Sequence, residues 1–324
     1  MQKDLGDKVK ALPGNSFKDY YNGGDTGVVS FEDDKYNITW HRTGQTSGVK
    51  KELWLLDFTF VAEEATPYSR THFKSVHARI PKPSQADWGA VLLHLAGLVN
   101  SIKACIPPHE HADLEAVYGQ LHAKIQDHFF GTVGELAAYV WTLPDQVSGR
   151  EVCSFINEFI RNDDEQQLQE TMGFIKCINT LVVDRVGVST RWPPRGYTTW
   201  RGLGMPSSAR HFFVKGLTYR VRMFVATSEN SNTAEDFAQR MSSLDKPATI
   251  FKIHHCQEHR CKHVNFINKS GVDGEAEYLF APYSTFRVEE APKWTGRYWL
   301  IEIYAYPDNK GLDCPENAQV ALYH

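Results

Sequence analysis

Three short stretches in the C-terminal half carry side chains able to do chemistry. Gly274-Glu275-Ala276-Glu277-Tyr278-Leu279-Phe280 sets two carboxylates one residue apart, just ahead of an apolar run. Side chains alternate along a strand, so in that conformation Glu275 and Glu277 share a face. Carboxylates held so close repel, which raises one pKa and favours a base. Thr199-Trp200-Arg201-Gly202-Leu203 places a forked, permanently charged guanidinium inside a strand, followed by a glycine. Such a group can grip a phosphate or a carboxylate through two parallel hydrogen bonds. Phe224-Val225-Ala226-Thr227-Ser228 runs a strand into two hydroxyls. Each stretch taken singly also has a plainer reading. Arg201 can be an edge or salt-bridge residue, Thr227-Ser228 ordinary turn chemistry, and Glu-X-Glu a solvated face.

The elements that must position these groups follow from periodicity. After Pro193-Pro194, short apolar alternations at Tyr197–Leu203, Leu217–Val225, Thr249–Ile253, Val264–Ile267, Tyr278–Phe280, Thr285–Val288 and Tyr298–Tyr304 predict strands, with a short helix near Thr233–Met241. Residues 85 to about 185 read as helical. Val91, Leu92, Leu95, Leu98 and Val99 recur at helical spacing up to Pro107-Pro108, and Leu114, Val117, Leu121 and Ile125 continue in a second helix. Val152, Phe155, Ile156, Phe159 and Ile160 fall on one face of a third. Asn162-Asp163-Asp164 breaks it and caps a fourth, carrying Leu168, Met172, Ile175, Ile178 and Val182. From Val28 to about Ile80 the texture is β-like. It includes a hairpin around Glu32-Asp33-Asp34 and a buried strand within the aromatic-rich run Leu53–Val61. The expected architecture is therefore α+β, with helices packed beside a sandwich or barrel-like sheet. The boundaries are a β-rich N-terminal extension over 1–84 and a domain over 85–324, helical to about 190 and β-rich from 191.

Composition narrows the function classes. With 42% hydrophobic residues and 23% charged over 324 residues, the chain can bury one large core or two modest ones. A net charge of −4 and the absence of a long basic run give no electrostatic reason to expect a nucleic-acid partner. No stretch approaches 18 apolar residues, so no membrane span is expected. The first residues lack the apolar core of a signal peptide, which leaves cytoplasmic and secreted locations both open. Neither a P-loop nor a Rossmann glycine fingerprint is present.

As an ordered set, Arg201-Gly202, Ala226-Thr227-Ser228 and Glu275-Ala276-Glu277 resemble the arginine–serine–glutamate mono-ADP-ribosyltransferases. This NAD:arginine family includes vertebrate ecto-enzymes and bacterial toxins. The resemblance extends upstream to Tyr139, Thr142, Asn157 and Arg161, a helical lead-in. It extends downstream to Ala234 and Phe237, then to the strand, proline turn and strand of Phe280–Val288. It spans roughly residues 135–305 and has no counterpart in the N-terminal third. It implies cleavage of the nicotinamide–ribose bond of NAD, bound as substrate with no metal required, and transfer of ADP-ribose to an exposed protein arginine. In that family the last glutamate, here Glu277, stabilises the cationic ribose through its hydroxyls. The first, here Glu275, orients the acceptor and helps remove its proton, which a guanidinium otherwise keeps. Arg201 meets the dinucleotide phosphates, and Gly202 lets the backbone approach the nicotinamide amide. Thr227 and Ser228 hold the glutamate and line the NAD pocket, to which Phe224, the residue that anchors the alignment of this motif, is also assigned. Glu275 favours an arginine acceptor, since relatives that modify asparagine or nucleobases more often carry Gln there. The family usually has serine where this chain has Ala226, which removes one orienting contact, worth about 1 kcal/mol. That departure keeps NAD hydrolysis and an inactive binding module of the same fold open as alternatives.

One segment stands outside this set. His254-His255-Cys256-Gln257-Glu258-His259-Arg260-Cys261-Lys262-His263 concentrates thiols and imidazoles. His254, Cys256, His259, Cys261 and His263 are candidate zinc or copper ligands, although the spacing matches no common zinc motif. The other readings are a Cys256–Cys261 disulfide, or a polar hairpin tip with neither.

Overall fold

The computed structural model describes residues 8–11, 20, 22, 25–32, 35–50, 58–60, 68–84, 87–144, 146–185, 197–256, 261–267, 276–309 and 318–321. The chain divides into two compact units, Met1–Ala65 and Thr66–His324.

In the first unit, β1 (Lys8–Ala11), β2 (Thr26–Glu32), β3 (Lys35–Trp40), β4 (Thr46–Lys50) and β5 (Phe58–Phe60) form an antiparallel sheet in the order β4-β3-β2-β1-β5. Glu32 pairs with Lys35, the hairpin expected at the acidic turn. Ile38 and Trp40 are fully buried while Thr39 between them is exposed, the period-2 pattern of a half-covered sheet. The buried indole is satisfied, since Trp40 Nε1 donates to Ser47 Oγ at 2.7 Å. Of the run Leu53–Val61, only Phe58–Phe60 lies within the described residues.

In the second unit, residues 72–79, read as β-like, form helix α1 (His72–Arg79). Local chemistry explains the helix. Thr71 Oγ1 accepts from Lys74 N at 3.2 Å as N-cap, and Phe73 and Val76 fall on one buried face. A distant residue completes the cap. The Asp163 carboxylate accepts from His72 N at 3.0 Å and Phe73 N at 2.8 Å, placing an anion on the positive end of α1.

The helices that follow are α2 (Trp88–Lys103), α3 (His111–Gln126), α4 (Val133–Trp141), α5 (Val152–Asn162) and α6 (Glu165–Asn179), the last continued by a π-helical turn, Thr180–Asp184. Asp87, Thr132 and Asp164 cap α2, α4 and α6 through their side chains. Asp163, at φ 52°, ends α5 in the left-handed region. Val152, Phe155, Ile156, Phe159 and Ile160 form the buried face of α5 as expected, and α6 is buried along its length from Thr171 to Ile178. A two-residue hairpin, β6 (Gln146–Val147) and β7 (Arg150–Glu151), joins α4 to α5.

Nine of the described strands make one mixed sheet: β8 (Thr198–Gly204), β9 (Thr218–Val221), β10 (Val225–Ser228), β11 (Ala248–His255), β12 (Val264–Phe266), β13 (Glu277–Phe280), β14 (Ser284–Trp294), β15 (Trp299–Ala305) and β16 (Gln319–Ala321). Their order is β12-β13-β10-β8-β11-β15-β14-β9-β16, with β11–β15 and β9–β16 parallel. Val264 and Phe266 at one edge share a core cluster with Val221 and Ala321 at the other. The sheet therefore curls until its two ends enclose common apolar side chains, the sandwich-like core of an α+β domain. Helices α7 (Ser207–Arg210) and α8 (Ser231–Arg240) interrupt the strands. The expected strand Leu217–Val225 splits into β9 and β10, because Phe224 hydrogen-bonds a helix side chain instead of a strand.

Candidate active site

Strand β10 runs between β8 and β13, and Ser228 sits at the junction, paired with Trp200 on one side and Glu277 on the other. Strands two apart in a sheet lie about 10 Å from each other. The long side chains of Arg201, beside Trp200, and Glu277 are thus within electrostatic reach. Burial lowers the Arg201 pKa to about 10, and the Glu277 carboxylate opposes that fall, so the guanidinium stays charged at neutral pH. Arg201 Nη1 donates to the Ala226 carbonyl at 2.8 Å, which fixes the fork against β10. Its Nε is buried with no hydrogen-bond partner among the described residues. A buried charged donor left open in this way fits an anionic ligand such as a pyrophosphate.

Glu277 opens β13 and is half-buried. Its Oε1 accepts from Trp141 Nε1 at 2.9 Å. Trp141 ends α4, is 4% exposed, and packs edge-on against Phe224 with ring centroids 5.2 Å apart. Phe224 is itself fully buried, and its backbone bonds in both directions with the Asn157 amide of α5. Arg222 Nη1 donates to the Arg161 carbonyl one turn further along α5. Cys153, on the same helix, lies within electrostatic reach of both Glu277 and Arg201, and burial pushes its thiol pKa up. Two helices therefore brace the start of β10 and the carboxylate of β13.

The residues expected to form the site divide into groups. Arg201, Ser228 and Glu277 lie on three adjacent strands, with Ser228 paired to Glu277 and the Arg201 and Glu277 charges within electrostatic reach of each other. Asn157 bonds Phe224, the residue before β10, and the Arg161 charge is within electrostatic reach of Arg201, whereas Tyr139 packs against Phe129 and Phe130. The Thr142 hydroxyl bonds back to the Ala138 carbonyl. Thr227 Oγ1 donates to the Tyr278 carbonyl at 3.0 Å, and Ser228 Oγ accepts from Asn230 N at 3.1 Å. A hydrogen bond to the Glu277 carboxylate comes from Trp141, which the sequence motifs do not reveal. Gly202 has a packing reason of its own: a Cβ there would stand 1.7 Å from the Ala234 carbonyl, so α8 occupies the space beside it. Glu275 lies outside the described residues, as do residues 268–274.

The described residues of the histidine–cysteine segment serve different partners. Cys256 and Cys261 are both free thiols, so the disulfide alternative is corrected. Among the described residues no group of three or more His, Cys, Asp or Glu side chains is arranged to hold a metal. His254 Nε2 meets Glu302 Oε2 at 3.0 Å on the opposite face of β11 from His255, which meets Thr199 Oγ1 at 2.9 Å. His263 bridges Ser284 Oγ and the Tyr306 carbonyl, with Cys261 Sγ 3.2 Å from its Nε2. His259 lies outside the described residues, and Cys256 is half-exposed. No helix among the described residues is long and apolar enough to cross a membrane.

No protein-family model and no curated protein sequence matches the chain. Among solved structures it is similar to the Vis toxin, an ADP-ribosyltransferase from Vibrio splendidus, at 16% identity over 76% of this chain and 95% of that one, with a TM-score of 0.43. It is similar to the ADP-ribosyltransferase HopU1 of Pseudomonas syringae at 19% identity over 53% and 76%, with a TM-score of 0.40. A third match is exoenzyme S from Pseudomonas aeruginosa, at 12% identity over 66% and 90%, with a TM-score of 0.40.

Proposed function

We propose that this protein cleaves the nicotinamide–ribose bond of NAD and transfers ADP-ribose to an acceptor, foremost an arginine side chain of a protein. The observation that carries the proposal is the placement of Arg201 and Glu277 on the two strands that flank β10, with Ser228 paired into both. Departure of nicotinamide builds positive charge on the ribose that exists only near the transition state. A carboxylate fixed beside that ring lowers the barrier more than it strengthens ground-state binding. Glu277 has this role. Arg201 grips the pyrophosphate through its open Nε–H and the rest of its fork, orienting the ribose toward Glu277. Glu275, two residues upstream, serves the acceptor by drawing its proton as the new bond forms to the anomeric carbon.

A second reading is NAD hydrolysis, with water as the acceptor, and Ala226 favours it because a serine there would add an orienting hydroxyl. Incubation with labelled NAD, with and without agmatine, separates the two. Label on agmatine supports transfer, and free ADP-ribose alone supports hydrolysis. Absence of nicotinamide release contradicts both and leaves an inactive binding module. Within the transfer reading, Glu275→Gln is expected to lose agmatine modification and keep some hydrolysis.

A further inference from the structure

We infer that Trp141 is a positioning residue for Glu277: its indole N–H helps orient the carboxylate from a different element, helix α4. The inference rests on the proposed role of Glu277 in NAD cleavage and deepens it. Glu277 pairs across β10 with Ser228, so the diagonal neighbour on the same face is Ala226. A methyl group there offers nothing to a carboxylate. The indole nitrogen lies 2.9 Å from Glu277 Oε1, within the range of a hydrogen bond to an ionised acceptor.

The chemistry of the donor suits the task. An indole N–H donates and never accepts, so it holds the ionised carboxylate and cannot compete for protons at the reacting centre. Its position is fixed by packing. Trp141 is 4% exposed and wedged edge-on against Phe224, and Asn157 ties the backbone of Phe224 to α5. The donor that meets the carboxylate is therefore held by rigid elements, α4 that carries Trp141 and α5 that ties down Phe224 against its ring.

The test compares Trp141→Phe, Ala226→Ser and the double variant in the full chain. Trp141→Phe keeps an aromatic ring against Phe224 and removes the donor. It is expected to lower kcat for nicotinamide release about ten- to hundredfold, with KM for NAD within about threefold of wild type, since the lost contact acts on the transition state. Adding Ala226→Ser is expected to restore at least about tenfold of that loss, because a hydroxyl on the diagonal position can replace the lost donor. General damage to the fold would not be repaired by a serine on a neighbouring strand. A second readout needs no turnover: carboxyl-labelled glutamate followed by carbon NMR. Removing the indole N–H should shift the Glu277 carboxyl resonance, and Ala226→Ser should move it back toward wild type. Unchanged kcat in an active Trp141→Phe variant, a loss that Ala226→Ser does not reverse, or an unmoved resonance would each overturn the inference. Failure of the functional proposal is distinct, because it shows as no nicotinamide release from the wild-type chain whatever the resonance does.

Discussion

The side-chain amide of Asn157 bonds the backbone of Phe224 twice, accepting from its N–H at 3.0 Å and donating to its carbonyl at 3.2 Å. One helix side chain thus supplies what an adjacent strand would supply, at the point where β9 gives way to β10. Asn157→Ala leaves both backbone groups without partners in a buried place, and a loss of about 2–4 kcal/mol is expected. Asn157→Asp keeps the acceptor and should fall between. Urea midpoints with unchanged m-values would record this order, and an Ala variant as stable as wild type would contradict it.

Gly202 lies under helix α8. A methyl group there would stand 1.7 Å from the Ala234 carbonyl and 2.7 Å from Ala238 N, both backbone atoms that cannot swing aside. Gly202→Ala should therefore push α8 off β8, cost about 1–3 kcal/mol and displace the neighbouring Arg201. Both a lower melting temperature and weaker NAD binding are expected. A variant that loses neither would mean that α8 packs differently from the arrangement described.

Two buried imidazoles make the second unit acid-sensitive. Burial holds His255 at about 3 and His263 at about 4, against an ordinary value of 6.5. Between pH 6.5 and 4 the unfolded chain binds these protons and the folded chain does not. Stability therefore rises with pH across that window and is lost as the pH falls through it, by roughly 3 kcal/mol for each group. Melting temperatures measured from pH 7 down to 4 should show this slope, with a shallower one in His255→Gln. A flat profile in the wild-type chain would count against neutral, buried histidines.

How much of the fold and site is legible in the sequence depends on the distance over which each interaction acts. The Glu32–Lys35 hairpin, the buried face of α5 and the Asp164 cap of α6 are set by neighbours within a few residues, and periodicity finds them. Strands β8, β10 and β13 are visible as alternations, and their order along the chain suggests a common site. Helix α1 is hidden because its cap is completed by Asp163, some ninety residues away. Trp141 is hidden for the same reason: an aromatic residue ending an apolar helix looks like core, and its partner carboxylate is 136 residues distant. The histidine–cysteine segment misleads in the opposite way. Its residues are close in sequence, yet a strand sends neighbouring side chains to opposite faces, so His254 and His255 serve different partners.

The most direct test of the central claim is the rate of nicotinamide release from NAD by the wild-type chain and by Glu277→Gln, with NAD affinity measured alongside. The swap keeps the size and a hydrogen-bond acceptor for Trp141 but removes the charge. The wild-type chain should turn over, and the variant should lose about 10²–10³-fold or more in kcat while its Kd for NAD stays within about threefold. A Glu277→Gln variant that releases nicotinamide at the wild-type rate would contradict the assignment of this carboxylate to the reacting ribose.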